Sequence, residues 1–341
     1  MAKVKVGVVG FGTIGERIAD GVAKQGDMEL VGVVDVAPTL PVRAMVESGR
    51  GYPFYCAIPD RIPGLEKAGI PVAGTLEDLL KKVDMVCDAT SPGVGAKNRL
   101  IYEKFGVKAA FQGGEKTEAV AELLWSSSGN YQAALGKKYI KHVSCNTTGI
   151  VRTAAAIDNA VGLEKMIATI VRRAADPAEI DKGPIDAAIV GEVPSHQAVD
   201  LQRVMPHVEA MGFIVTVPTT HGHIICQHVV CKREVTTEEA VEFLARSPRI
   251  RMFRMKDGFV ANSIIFDYMR DLGLHRADMY EVGVFEESVV AKGRDVYFVE
   301  HIPQESIVIP ENIDGIRALM SMQKTADEAI ALTNKYLGIR A

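Results

Sequence analysis

No apolar run in this 341-residue chain reaches the roughly 18 residues that a membrane span needs. Neither sign of charge dominates. The net charge of -4 gives no basic surface for nucleic acid or an acidic membrane. Internal repeats and low-complexity segments are absent. The opening stretch Met1-Ala2-Lys3-Val4-Lys5-Val6 runs straight into a strand pattern and carries no apolar signal-peptide core. Cysteine is scarce: Cys56, Cys87, Cys145, Cys226 and Cys231 are odd in number and widely scattered. That excludes a disulfide framework and argues for free thiols in the cytoplasm. What is present, 48% hydrophobic and 24% charged residues with few aromatics, is the composition of a soluble globular protein. At this length two domains are the default.

The first chemistry-bearing stretch follows the first strand pattern. Lys3–Val9 is rich in β-branched residues and runs into Gly10-Phe11-Gly12-Thr13-Ile14-Gly15, after which Glu16–Ala23 reads as a helix. This is GxGxxG in a strand–turn–helix context. Gly10 allows the turn, Gly12 lets a pyrophosphate approach the backbone, and Gly15 lets helix and strand pack closely. The second strand pattern, Leu30–Val34, ends in Asp35, about 20 residues past the glycines. A carboxylate there accepts from both ribose hydroxyls of NAD and repels the 2′-phosphate of NADP. The plain alternative is a core glycine turn with a surface aspartate.

Further alternation predicts a doubly wound sheet. Thr75–Leu80 reads as a capped helix and Val83–Ala89 as a buried parallel strand, with Cys87 as packing. The loop Thr90–Gly95 then lies at a strand's carboxyl end, where the nicotinamide half of a dinucleotide is expected, so Thr90 is a candidate contact. Val107–Phe111 is another strand, ending in the paired glycines Gly113-Gly114, which suggest close backbone approach to a ligand. Tyr139–Val143 reads as the domain's last strand, and Ile150–Ile157 as a helix. Cys145 stands at that junction, where a helix start favours thiolate over thiol. An isolated cysteine is more often a buried packing residue. Its expected place at the carboxyl edge, beside the nicotinamide, favours a nucleophile.

The second half reads as a domain with a mixed or antiparallel sheet. Met166–Val171 is a strand followed by Arg172 and Arg173, a pair that can clamp an anion or form a solvated face. Val193–Asp200 reads as a loop whose polar cluster, His196 and Gln197 included, can meet a substrate. Phe213–Val217 is a strand leading to His221, His223, Cys226, His228 and Cys231. On a strand 221 and 223 share one face and 226 and 228 the other, so no metal is expected. A histidine acting as general base for Cys145 fits better. From about 236 to 281 the pattern is helical with loops. Tyr280–Phe285 and Asp295–Val299 read as antiparallel strands, and Ile313–Tyr336 as an amphipathic helical region that returns to the first domain. The expected fold is therefore α/β, a Rossmann doubly wound parallel sheet plus an α+β catalytic domain. Its expected boundaries are 1–144, 145–305 and 306–341.

Taken together, Gly10–Gly15, Phe111–Lys116, Ser144–Gly149, Arg172–Pro177, Val217–Thr220, and the Gln-Glu-Ser and Ile-Pro-Glu-Asn motifs of 304–312 resemble the archaeal-type, phosphorylating glyceraldehyde-3-phosphate dehydrogenases. The likeness covers essentially the whole chain. It implies a homotetramer of two-domain subunits, an aldehyde phosphate and inorganic phosphate as substrates, and NAD or NADP as cofactor. Cys145 matches the family's nucleophile, which forms a hemithioacetal and then a thioester. His223 matches its catalytic histidine, which would take the hydroxyl proton. Thr13, Ile14, Gly114, Arg173 and Gln304 match cofactor contacts; Ser144, Asn146 and His196 match substrate contacts.

The chain departs from the family pattern in three places. Val34-Asp35 replaces Ser or Thr followed by Lys, which shifts the expected cofactor to NAD. His196-Gln197-Ala198-Val199-Asp200 replaces His-His-Gly-Pro-Asp, so Gln197 stands where an imidazole is expected. His221-Gly222 replaces apolar residues, which makes His221 an alternative base to His223. The competing functions are the same mechanism on another phosphorylated aldehyde or a semialdehyde, and a non-catalytic NAD-binding redox sensor using Cys145 as its switch.

Overall fold

The computed structural model describes residues 2–174, 187–219 and 221–340. Ala175, Asp176 and Pro177 of the arginine motif, and Thr220, lie outside them. The chain divides into two compact units. One comprises Met1–Ser127, Tyr131–His142 and Ile309–Gly338; the other comprises Ser128–Asn130, Val143–Val308 and Ile339–Ala341. No helix among the described residues is long and apolar enough to cross a membrane.

In the first unit, strands alternate with helices. They are β1 (Val4–Val9), β2 (Met28–Asp35), β3 (Phe54–Cys56), β4 (Gly74–Thr75), β5 (Met85–Asp88), β6 (Lys108–Phe111), β7 (Leu123–Trp125) and β8 (Tyr139–His142). They form an eight-stranded sheet in the order β4-β3-β2-β1-β5-β6-β8-β7, parallel at every pairing. Parallel neighbours need crossovers, and the helices Thr13–Ala23 and Gly95–Phe105 supply two of them. With both faces covered, the central strands become continuous apolar runs. Val6, Val8, Val33, Val34, Met85 and Val86 are all fully buried, each worth roughly 1.5–3 kcal/mol. Cys87 belongs to this core: burial, then the neighbouring Asp88, pushes its thiol up to about 12, so it stays an inert thiol. Strand order reverses between β1 and β5, and the crevice at such a point is where doubly wound sheets take ligands.

The C-terminal region is two helices, Ile309–Leu319 and Ala326–Leu337, because Thr325 caps the second by accepting from the Glu328 N–H. Both belong to the first unit. The fully buried Arg317 fixes the first of them, its Nη2 lying 2.8 Å from Asp27 Oδ1 and 2.9 Å from Gln25 Oε1.

The second unit carries β9 (Leu163–Arg173), β10 (Ile189–Val190), β11 (Glu209–Val217), β12 (His223–Cys231), β13 (Ile250–Phe253), β14 (Val282–Phe285), β15 (Val290–Lys292) and β16 (Asp295–Ile302). The order is β10-β11-β9-β12-β16-β14-β13, with β15 on β16; β9–β11 and β13–β14 are parallel and the other pairings antiparallel. The helix Cys145–Val161 packs so closely on this sheet that a Cβ on Gly149 would lie 2.2 Å from Ile302 Cδ1.

Two stretches differ from their sequence reading. Residues 196–204 form a helix (His196–Val204), not part of a loop. Gln197, Ala198, Leu201 and Val204 follow the helical period and are buried, while His196 and Asp200 on the other side gave the stretch a loop-like polarity. Inside the region read as helical, Ile250–Phe253 forms β13 beside β14, a short apolar run of the kind whose period does not separate strand from helix.

Candidate active site

Cys145 opens the helix Cys145–Val161, which begins earlier than its apolar period suggests. Ser144 is the N-cap: its backbone is extended and its Oγ accepts from the Thr147 N–H at 3.3 Å. The capping fixes Cys145 in the first turn, with the positive end of the helix dipole at its sulfur. The side chain is only partly buried and lines a pocket of about 420 Å³ within the second unit. Ser144, Asn146, Arg172, His196, Gln197, His223 and Gln304 line the same pocket. Residues far apart in sequence thus converge on one cavity.

His223 faces the thiol, with Nε2 3.8 Å from Cys145 Sγ. It opens β12, and its Nδ1 accepts from the Arg173 backbone N–H at 3.1 Å. Burial, then the charges of Arg173 and Arg172, brings its pKa down to about 3, so the ring is neutral in the neutral pH range. His221 turns elsewhere: its ring meets Phe266 edge-on at 5.0 Å between centroids. Of the two candidate bases, His223 lines the pocket with Cys145 and His221 does not. His228 lies 2.6 Å from Asp295 and stacks on Tyr297, and among the described residues no group of three or more potential ligands could hold a metal ion.

The two arginines part company at the end of β9. Arg172 lines the pocket; Arg173 does not. The buried guanidinium of Arg173 holds Glu305, Nη1 to Oε1 at 2.8 Å. Arg172, the exposed His196 and the buried Gln197 provide a cation and polar groups in one pocket, a composition suited to an anionic group. The Oε1 of Gln197 and Oδ1 of Asn146 are buried without a hydrogen-bond partner. Such atoms next to a cavity are expected to be completed by what the cavity holds.

The glycine motif lies in the first unit, and its geometry fits a dinucleotide. Gly10 has φ +87°, and a Cβ there would lie 2.9 Å from the Ala89 backbone. A Cβ on Gly15 would come within 1.8 Å of Gly10 O, so helix and turn meet only because it is glycine. Gly12 has nothing within 4 Å of its Cβ position, and as N-cap of Thr13–Ala23 it supplies no side-chain cap. Thr13 and Ile14 therefore begin a helix whose amides are open to phosphate. Asp35 Oδ2 accepts from the Phe11 N–H at 2.9 Å and Oδ1 from the Val36 N–H at 2.6 Å, which holds the carboxylate beside the glycine turn. Gly114 packs against Pro92: a Cβ there would lie 2.8 Å from its Cγ.

Sequence reasoning missed the residues that hold these groups in place. Asp88 is buried at the end of β5 and accepts from Tyr102 Oη (2.7 Å), Asn98 Nδ2 (2.9 Å) and the Thr90 N–H (3.0 Å), fixing the Thr90 loop. A carboxylate inside an apolar strand was the available signal. Glu305, the partner of Arg173, stood within the Gln-Glu-Ser motif but without a role of its own.

Two family descriptions match the sequence. Residues 144–272 match "Glyceraldehyde 3-phosphate dehydrogenase, C-terminal domain", and residues 4–111 match "Dihydrodipicolinate reductase, N-terminus". Curated relatives named glyceraldehyde-3-phosphate dehydrogenase align end to end. Those of Thermococcus sibiricus and Thermococcus kodakarensis are 45% and 44% identical, over 99% of this chain and 99% of theirs. That of Methanobacterium bryantii is 42% identical over 98% of this chain and 99% of its own. The aspartate semialdehyde dehydrogenase II of Vibrio cholerae, solved in complex with ASA, shares the fold at a TM-score of 0.68, with 15% identity over 94% of this chain and 99% of that one.

Proposed function

Since the chain belongs to the glyceraldehyde-3-phosphate dehydrogenase family, we propose that it oxidises glyceraldehyde 3-phosphate to 1,3-bisphosphoglycerate, with inorganic phosphate as second substrate. The reading rests on one observation above all: Cys145 Sγ and His223 Nε2 lie 3.8 Å apart in a pocket that also holds Arg172 and His196. The thiolate adds to the aldehyde carbon, Arg172, His196 and Gln197 hold the phosphoryl end, and Ser144 and Asn146 complete the substrate contacts. The oxidised dinucleotide accepts the hydride. Phosphate then displaces Cys145 from the thioester. Gly10, Gly12, Thr13, Ile14, Gly15, Thr90 and Gly114 are assigned to the dinucleotide, with Arg173 and Gln304 by the family match. Asp35 sets a preference for NAD over NADP, because its carboxylate repels a 2′-phosphate.

The test is a steady-state assay of purified protein with each dinucleotide, with and without phosphate. The expected result is phosphate-dependent reduction, faster with NAD. No phosphate-dependent reduction on glyceraldehyde 3-phosphate would sink the reading. A second reading, the same chemistry on a different aldehyde, draws on Gln197 in the pocket. A panel of phosphorylated aldoses and semialdehydes separates the two by relative kcat/KM.

We further propose that the chain assembles as a homotetramer in the cytoplasm. Met211, Phe213 and Tyr297 are 36%, 44% and 40% exposed on one face of the second unit's sheet, a patch suited to a second copy. Sedimentation velocity on the protein and on a Phe213→Glu variant tests this; a monomeric wild-type protein refutes it. All five cysteines are free thiols, which supports a reducing compartment.

A further inference from the structure

The geometry points to Asp88 as a positioning residue for the dinucleotide: its carboxylate grips the Thr90 loop and sets where that loop meets the nicotinamide half. This rests on the dinucleotide reading above. It adds a buried residue that governs how one half of the ligand is held and leaves the other half alone.

Asp88 ends β5 at the carboxyl edge of the sheet and is 2% exposed. Its two oxygens have separate tasks. Oδ1 accepts from the Thr90 N–H at 3.0 Å and from the Thr90 hydroxyl at 2.5 Å. Oδ2 accepts from Asn98 Nδ2 at 2.9 Å and from Tyr102 Oη at 2.7 Å. Asn98 and Tyr102 stand four residues apart, on one face of the helix Gly95–Phe105. Burial, then the Asp88 charge, holds the Tyr102 hydroxyl well above the usual tyrosine range, so it stays a donor. One oxygen is thus anchored to a helix while the other grips the loop. All four partners donate, and a carboxylate can accept on both sides. A carboxamide would set its NH2 against two donors whichever way it turned.

The gripped loop is also confined from its flanks. A Cβ on Gly10 would lie 2.9 Å from the Ala89 carbonyl and from Thr90 N. On the β6 side, the Cβ position of Gly113 is 3.4 Å from Thr90 O, and that of Gly114 is 2.8 Å from Pro92 Cγ. Two glycine turns therefore close on the loop, and Asp88 sets how deep it sits between them. This is the point where strand order reverses, the crevice in which doubly wound sheets take ligands. The single proton of the Thr90 hydroxyl is given to Asp88. Thr90 then offers a ligand its backbone and hydroxyl lone pairs, and both move if the grip is lost. The adenosine end has its own anchor in Asp35, which the Phe11 and Val36 amides fix without Asp88.

The proposal predicts that the two halves of the dinucleotide come apart energetically. Direct calorimetric binding to the full chain tests this without turnover, with NAD and AMP as probes. Asp88→Asn should weaken NAD by about 10–100-fold, the loss expected for charge-assisted hydrogen bonds, and leave AMP within about twofold. Tyr102→Phe removes a bond from the other oxygen; it should lower Tm yet leave NAD within about threefold. Equal weakening of NAD and AMP by Asp88→Asn overturns the proposal, as does unchanged NAD affinity. A Tyr102→Phe loss as large as that of Asp88→Asn would show that binding follows stability rather than the grip, and also overturns it. Should Asp88→Asn fail to fold, Thr90→Val and Thr90→Ser decide. The first deletes the hydroxyl bond and should weaken NAD about tenfold; the second keeps the bond and should bind as the wild type does. Equal NAD affinity in those two variants counts against the proposal just as decisively. A wild-type protein that binds no NAD refutes the dinucleotide reading and the proposal with it, and the wild type alone shows that result.

Discussion

The two units prepare their ligand sites by different means. In the first, the backbone does the work: Gly10, Gly12 and Gly15 are needed for what they lack, and the waiting groups are amides at a helix start. In the second, side chains do it: Cys145, Arg172, His196 and His223 come from separate elements to one pocket. A backbone site is written in contiguous residues because its geometry is local. A side-chain site depends on sheet register and on how buried charges are settled. Its properties, such as the neutral His223 beside two arginines, emerge only after folding.

The comparison breaks first at Cys145, the proposed nucleophile. Cys145→Ser keeps the size of the side chain and its place at the helix start but gives a hydroxyl far too basic to ionise there. Turnover should fall by about 10⁴-fold or more, while dinucleotide affinity, to which the glycine turn of the other unit contributes most, stays within about twofold. Turnover near wild type would move the chemistry away from this pocket.

How much of this was legible in the sequence follows the same division. The glycine turn, Asp35 and the parallel strands β1, β2, β5, β6 and β8 could be read directly, since spacing and β-branched runs encode them, whereas β3, β4 and β7, of two or three residues each, are too short to show a pattern. Cys145 at a helix start was also readable, because its neighbours Ser144 and Thr147 are the cap. The place of His223 beside Cys145 was not: it depends on the β9–β12 register, which sets His223 beside the Arg173 amide, while the His221 ring meets Phe266. The parting of Arg172 and Arg173 was hidden likewise, since adjacent residues on a strand point opposite ways and only the partner Glu305 says which is buried. The helix His196–Val204 was missed because two polar residues sit near its start.

Buried charge offers the next comparison. In the first unit Arg317 is paired with Asp27, while in the second the buried Glu300 accepts from the neutral groups of Gln227 and Thr153. Burial raises the Glu300 pKa from 4.5 to about 7. A carboxyl with a raised folded pKa contributes stability that is fully present below its unfolded pKa of 4.5 and lost as pH rises through 7. Glu300→Gln removes the titration and should stabilise the protein by up to about 3 kcal/mol at pH 8 relative to its effect at pH 4. Urea unfolding of both proteins at the two pH values gives the difference; an unchanged pH dependence refutes it.

Arg172→Ala tests the anionic end of the pocket. Losing a charge-assisted contact of about 2 kcal/mol should raise KM for the aldehyde phosphate about 30-fold with kcat little changed. An aldehyde lacking the phosphoryl group should show no such rise. Equal losses on both substrates would mean that Arg172 serves the reacting end.

The smallest effect is expected at Gly12, and it sharpens the contrast between the units most directly. Gly12 has open space where a Cβ would stand and a φ of −93°, so Gly12→Ala should fold as the wild type does, with Tm within a degree or two. Gly15→Ala, by contrast, would drive a methyl to 1.8 Å from Gly10 O and should lower Tm clearly. If the space over Gly12 is kept for a pyrophosphate, the added methyl should weaken dinucleotide binding about tenfold, seen by titration of cofactor into protein. A single methyl would then separate the two tasks of the glycine motif, Gly15 holding the turn together and Gly12 leaving it open. Unchanged affinity in Gly12→Ala would mean that the dinucleotide does not cross this turn, and the backbone reading of the first unit would fail with it.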